Sequence, residues 1–330
     1  MSENAGQGMI TLGTRGSALG LVQAGMAEEA LRAAWPGLEI RRRVIKTTGD
    51  RRTDVPLSEV AQAGGLDKGV FIKELETALQ EGEIDVAVHS LKDMPSVLEE
   101  EFTIAAVLPR ASVRDVLITK EKGGLKGLPE GATVATGSVR RRRLLQSLRP
   151  DLQVTDSRGN VPTRIRKLHE AREIDGLLLA QAGLVRLGLL DGGLVKSEGK
   201  EAYAEELDEE RFVPAAGQGA VALEVRTGDA GTGSICEAVN DEESMLIVRA
   251  ERSFLALLGA GCETPVGVIG KVARKDDPGA RPGDLLMRAV VFEDGESEPL
   301  EGAVSGAGKN AGGLAARLLA ELKRGGEPGN

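Results

Sequence analysis

Between residues 9 and 188, short apolar runs alternate with segments whose hydrophobic residues return every three or four positions, and few folds satisfy that alternation. M-I-T-L-G at 9–13 predicts a short buried strand, followed by T-R-G-S and a helix over 17–34 with Leu19, Val22, Met26 and Ala30 on one stripe. A strand over 38–46 leads into a long, mobile loop over 47–68, built of Gly, Asp, Arg and Pro without periodicity. A helix over 70–80 carries Phe71, Leu75, Ala78 and Leu79 on one face, and a strand over 84–88 runs directly into H-S-L-K-D-M-P. Beyond Arg114, strands at 116–119, 133–136, 152–155 and 176–179 interleave with helices at 139–148, 163–172 and 182–188. Strand followed by helix with short loops predicts an α/β fold with mostly parallel sheets. The acidic stretch 191–210 reads as a surface segment before the chain re-enters a core at Phe212. From residue 241 the pattern changes to a helix over 242–258, a G-A-G-C turn, a strand at 266–269, a hairpin-like pair around 285–292 with an Asp294-Gly295 turn, and a helix over 314–323. At 330 residues the chain exceeds one ordinary domain, and three units are expected.

Aromatic residues make up 2% of the chain, so its core is built from Leu, Val, Ile and Ala, and ligand binding by stacking is disfavoured. A formal net charge of -9 argues against nucleic acid as the main partner. Arginines nevertheless gather at 41–43 and 140–143, and a locally basic cleft in an acidic protein points to a small polyanion. Cys236 and Cys262 are too few for a disulfide framework, and with His89 and His169 they give no ligand spacing for a metal. No basic and apolar leader opens the sequence and no apolar run is long enough to span a bilayer, so a cytoplasmic location without membrane attachment is expected.

In open α/β sheets, ligands bind beyond the carboxyl ends of the strands, where loops feed helix N-termini. Unusual polar residues recur at those places: Arg15 and Ser17, Lys92 and Asp93, Ser138 with Arg140 and Arg141, Arg158, and Arg186. Two sheets facing across a cleft would gather them around a polycarboxylate or a phosphate.

Six segments carry a more specific signal: T-R-G-S-A-L at 14–19, K-G-V-F-I-K-E-L-E at 68–76, H-S-L-K-D-M-P at 89–95, R-G-N-V-P-T-R at 158–164, P-A-A-G-Q-G-A at 214–220 and E-R-S-F-L-A-L-L-G-A-G-C at 251–262. In content and order they resemble the porphobilinogen deaminases. The resemblance implies three domains, the first two like type II periplasmic-binding-protein α/β domains around a cleft and the third a small α+β domain. It sets domain 1 at 9–110 with a return strand in 216–238, domain 2 at 113–213 and domain 3 at 240–326. The implied activity is stepwise head-to-tail polymerisation of four porphobilinogen molecules into hydroxymethylbilane with loss of ammonia, by a monomer carrying a covalent dipyrromethane cofactor.

Residue by residue, the resemblance makes Cys262 the attachment point of that cofactor and Asp93 the catalytic group. It assigns Arg15, Lys92, Arg140, Arg141, Arg158, Arg164 and Arg186 to the acetate and propionate carboxylates of cofactor and substrate. Ser17, Thr136, Ser138 and Gln218 are expected as further donors, with Lys68 and Phe71 at a loop that covers the cleft. His89 is expected to support its loop, and Arg142 and Arg143 to be solvated. Gly137 stands where the family commonly has serine, and Ala260 where it commonly has glycine. Taken without the resemblance, Cys262 reads as a buried turn cysteine, Asp93 as a turn residue, and Ser17 and Ser138 as helix caps. A non-catalytic two-domain binding protein and a nucleic-acid module built on residues 140–143 remain the competing readings.

Overall fold

The computed structural model describes residues 8–47, 72–261, 264–275, 281–293 and 295–325. Two compact units emerge, one of residues 1–111 with 219–245 and the other of 112–218 with 246–330.

The first unit is a five-stranded sheet in the order β2-β1-β3-β12-β4, made of β1 (Met9–Arg15), β2 (Glu39–Ile45), β3 (Val86–Ser90), β4 (Phe102–Val107) and β12 (Val221–Arg226). β1 runs parallel to β2 and β3, whereas β12 lies antiparallel between β3 and β4. Alternate residues of a strand face opposite ways. Val86 and Val88 accordingly meet α1 (Ala18–Ala34) through Ala27 and Leu31, while Ala87 meets α2 (Lys73–Gln80) through Leu75, Ala78 and Leu79. Helix α2 was expected to begin at residue 70; residues 70 and 71, and the loop expected over 47–68 apart from Thr47, lie outside the described residues.

The second unit contains a seven-stranded sheet in the order β7-β6-β8-β5-β11-β10-β9. After a short helix, α3 (Gly124–Gly127), its parallel part is β6 (Thr133–Ala135), β7 (Gln153–Thr155) and β8 (Gly176–Ala180), each followed by a helix: α4 (Val139–Leu148), α5 (Val161–Glu170) and α6 (Gln181–Arg186). The remaining pairings are antiparallel, which corrects the expectation of a mostly parallel sheet. β5 (Asp115–Thr119) enters beside β8 in the opposite direction, so its first residue, Asp115, pairs with the last residue of β8, Ala180. The acidic stretch expected as a surface segment instead forms β9 (Leu190–Asp191), β10 (Leu194–Ser197) and β11 (Lys200–Glu206). Glu198 and Gly199 join the last two with φ of 50° and 75°, the doubly positive pair of a tight hairpin turn. Only Val195 and Ala202 of this ribbon sink fully into the core, and its charged residues conceal the alternation.

Beyond α7 (Ala230–Glu237), which follows β12, a third sheet, β13 (Val266–Val272), β14 (Asp284–Val291) and β15 (Leu300–Ala307), is antiparallel throughout and packs on α8 (Glu242–Leu258) and α9 (Ala311–Gly325). The hairpin expected around 285–292 is the β14 and β15 pair, so 285–292 forms one strand rather than two; Asp294 lies outside the described residues. Val290 and Phe292 join the core formed by Leu117, Leu144, Leu178 and Phe212, so the third sheet belongs to the second unit.

Candidate functional site

In the first unit, β1 and β3 run in the same direction and end at the same edge of the sheet. β1 delivers Arg15 there, and the next turn caps α1 through Ser17, whose hydroxyl accepts from the Gly20 N–H at 3.1 Å. β3 delivers Ser90 and passes into a single 3-10 turn, Leu91–Asp93, whose Leu91 N–H is bound by Ala220 O at 3.1 Å. A pocket opens here, with Arg15, Ser17, Gln23, His89, Ser90 and Asp93 among its lining residues. Three residues expected from the sequence thus share one concave surface, while Lys92 is exposed on the same turn. Gln23 was missed. It is a buried amide in an apolar stripe, 3% exposed, donating to and accepting from the Ser90 hydroxyl at 2.8 and 3.1 Å.

Beneath the pocket, His89 Nε2 lies 2.8 Å from Glu224 Oε2, both side chains being buried. Glu76 of α2 stands against them. Its burial, followed by the charges of Glu224 and Glu99, pushes its carboxyl up to about 7.

In the second unit, the carboxyl ends of β6, β7 and β8 share an edge and feed three helix N-termini, the arrangement that favours anions. Thr136 is buried at the end of β6, where its hydroxyl accepts from the Ser138 N–H. Ser138 caps α4 by accepting from the Arg141 N–H, so both serines expected as donors are also helix caps. Arg158 precedes α5, and Arg164, within it, donates to Gly159 O at 2.7 Å. Arg186 ends α6, where burial draws its pKa below the ordinary arginine value.

Arg140 and Arg141 turn inward. Asp115, fully buried, takes Arg140 Nη2 at 2.8 Å and Arg141 Nε and Nη2 at 3.0 and 2.8 Å. Gln218 adds its Nε2 to the same carboxylate at 3.0 Å, and its turn is pinned where Glu251 accepts from the Gly217 and Gly270 N–H groups. Burial alone would raise the Asp115 carboxyl. The two guanidiniums, with hydrogen bonds from Arg140 and Gln218, outweigh it and hold the group at about 2. Its stabilising effect is therefore present above the ordinary value of 3.8 and is lost as pH falls through about 2. Two positive side chains around one negative one leave the cluster with excess positive charge, and Arg140 Nε has no hydrogen-bond partner among the described residues. Arg142 pairs with Asp156, and Arg143 lies 5.1 Å from the Phe292 ring centroid, both half-buried at the surface.

Asp115→Ala would strand two buried guanidiniums, and a loss of about 3–5 kcal/mol in urea unfolding at pH 7 is expected. An unchanged midpoint would mean that the cluster is solvated rather than buried.

Cys262, Lys68 and Phe71 lie outside the described residues. Cys236 sits in the core of the first unit, where burial and then Asp229 push its thiol up to about 12. Among the described residues, no group of three or more His, Cys, Asp or Glu could hold a metal ion, and no helix is long and apolar enough to cross a membrane.

Residues 10–234 match the family model described as "Porphobilinogen deaminase, dipyromethane cofactor binding domain", and residues 245–324 match that of the "Porphobilinogen deaminase, C-terminal domain". A porphobilinogen deaminase of Roseiflexus castenholzii is 39% identical over 313 residues, covering 95% of either chain. That of Thermus thermophilus is 42% identical over 301 residues, 90% of this chain and 91% of the relative. Among solved structures, the VFT2 domain of Bordetella pertussis BvgS superposes with a TM-score of 0.42 at 17% identity, over 70% of this chain and 86% of that one.

Proposed function

The chain belongs to the porphobilinogen deaminase family, and from that premise we propose that Asp93 does the proton and charge work of its reaction and that Cys262 carries its primer. The protein is a transferase of porphyrin and heme biosynthesis, a hydroxymethylbilane synthase that condenses four porphobilinogen molecules with release of ammonia on a dipyrromethane cofactor. The observation that carries the assignment to Asp93 is its convergence with Arg15 and Ser17 on one pocket at the carboxyl ends of β1 and β3.

When bound, the cofactor supplies a pyrrole α-carbon as nucleophile. Its acetate and propionate groups fit the donor set of the second unit, where positive charge exceeds negative and a buried Arg140 Nε–H is unpartnered among the described residues. Each guanidinium has five N–H donors, more than Asp115 and the neighbouring carbonyls use. Arg140, Arg141, Arg158, Arg164 and Arg186, with Thr136, Ser138 and Gln218, would bind carboxylates there, as Arg15, Ser17 and Lys92 would in the first unit. Lys68 and Phe71 would cover the bound chain. Asp93 accepts hydrogen bonds from the ammonium and pyrrole N–H groups of the substrate and stabilises the cation that forms as ammonia leaves. It would then take up the proton released from the attacking α-carbon as the new carbon–carbon bond forms. Cytoplasmic residence, a monomeric state and the division into residues 9–110 with 216–238, 113–213 and 240–326 belong to the same proposal, on the strength of the family motifs.

Intact-protein mass tests it. The isolated protein should be heavier than its sequence by two porphobilinogen units less two ammonia, and an unmodified yet fully active protein would overturn the reading.

A further inference from the structure

We propose that the buried Glu224 and His89 pair, with Glu76 set against it, positions the Leu91–Asp93 turn and makes the reactivity of Asp93 depend on the pair's charge. The inference rests on the reading of Asp93 as the catalytic group. In the register of β3 and β12, His89 lies opposite Ala222 and Glu224 opposite Ala87. Both side chains therefore fall on the face covered by α2, where Nε2 and Oε2 meet at 2.8 Å. Glu224 is fully buried, and its second oxygen, Oε1, has no hydrogen-bond partner among the described residues. A buried carboxylate with an unsatisfied oxygen is destabilising, and apolar side chains of similar size would be the more stable filling. Its position makes a functional role the better account.

His89 immediately precedes Ser90 and the turn that carries Asp93, and the first N–H of that turn is bound by Ala220, at the head of the strand that carries Glu224. A carboxylate on one imidazole nitrogen fixes the tautomer and the ring, and so the backbone path leaving β3. Among the described residues, the charged groups facing the pair are Glu76 from α2, Glu99 ahead of β4, and Arg226. The last lies two residues further along the same face of β12 and is engaged by Leu79 O, Ile84 O and Asp85. Glu76, whose carboxyl is raised to about 7, becomes a second negative charge beside Glu224 as pH passes through neutrality. That change of charge behind the pocket alters the field in which the Leu91–Asp93 turn works.

The test uses the primer-loaded full chain as Glu224→Gln, Glu76→Gln and Asp93→Asn, with kcat and KM followed from about pH 5.5 to about 9. Intact mass reports primer loading and urea unfolding reports stability. Glu224→Gln is expected to load its primer and to lose about tenfold or more in kcat, with KM changed by less than about threefold. Glu76→Gln is expected to retain wild-type kcat at low pH while the limb near neutrality moves or vanishes, and it keeps the proposal falsifiable if Glu224→Gln does not fold. Wild-type pH profiles in the folded glutamine variants, beside an inactive Asp93→Asn, would overturn the positioning role alone. Normal turnover in Asp93→Asn would instead remove Asp93 from catalysis, and this inference with it.

Discussion

Cys262→Ser is expected to yield a folded protein whose mass equals that of its bare sequence and which makes no hydroxymethylbilane. A serine hydroxyl is far less acidic than a thiol and forms no comparable anion near neutral pH, so the primer has no nucleophile to join. Cys236→Ser should keep both the adduct and the activity, at the cost of some stability. Its side chain is fully buried and its thiol, raised to about 12, is un-ionised at neutral pH. Peptide mapping of the adduct separates the two cysteines, and finding it on a Cys236 peptide would overturn the assignment.

Asp93→Asn keeps the size and much of the hydrogen bonding of the side chain while removing its charge. Turnover should fall by about 10²- to 10⁴-fold, the range for losing one acid–base group, and further where the carboxylate also stabilises a cationic centre. Asp93 is exposed at the end of a short turn, so the unfolding midpoint should barely move. Supplied with preformed tetrapyrrole, the variant should still carry its primer, making slow chemistry on a modified protein the expected signature. Near-normal turnover with the primer in place would assign the proton work to another group.

The strand and helix alternation was legible because each element declares itself locally. The helix over 139–148 coincides with Val139–Leu148, and the helix over 242–258 with Glu242–Leu258. What escaped depends on strand direction, which periodicity does not record. Asp115 looks like the polar start of an apolar strand until β5 is seen to run against β8, which sets it among the helix N-termini and beside arginines 25 and 26 residues away. His89 and Glu224, 135 residues apart, meet only because β12 returns to pair with β3. The ribbon of Leu190–Glu206 escaped for a different reason, its few inward residues being outnumbered by charges. Arg15, Ser17 and Asp93, by contrast, were placed correctly at strand ends from the sequence, because the carboxyl edge of a parallel sheet is a local property of each strand.

Gly137 lies so close to the next loop that a β-carbon there would come within 2.9 Å of the Ser157 carbonyl oxygen. That oxygen belongs to the backbone and cannot swing aside as a flexible side chain would. Any larger residue at 137 therefore requires the chain around Ser157 and Arg158 to withdraw first. The two segments are thereby coupled: a serine could be accommodated at 137 only after another change had moved the neighbouring loop. The same serine introduced alone would displace an arginine that it never touches in sequence.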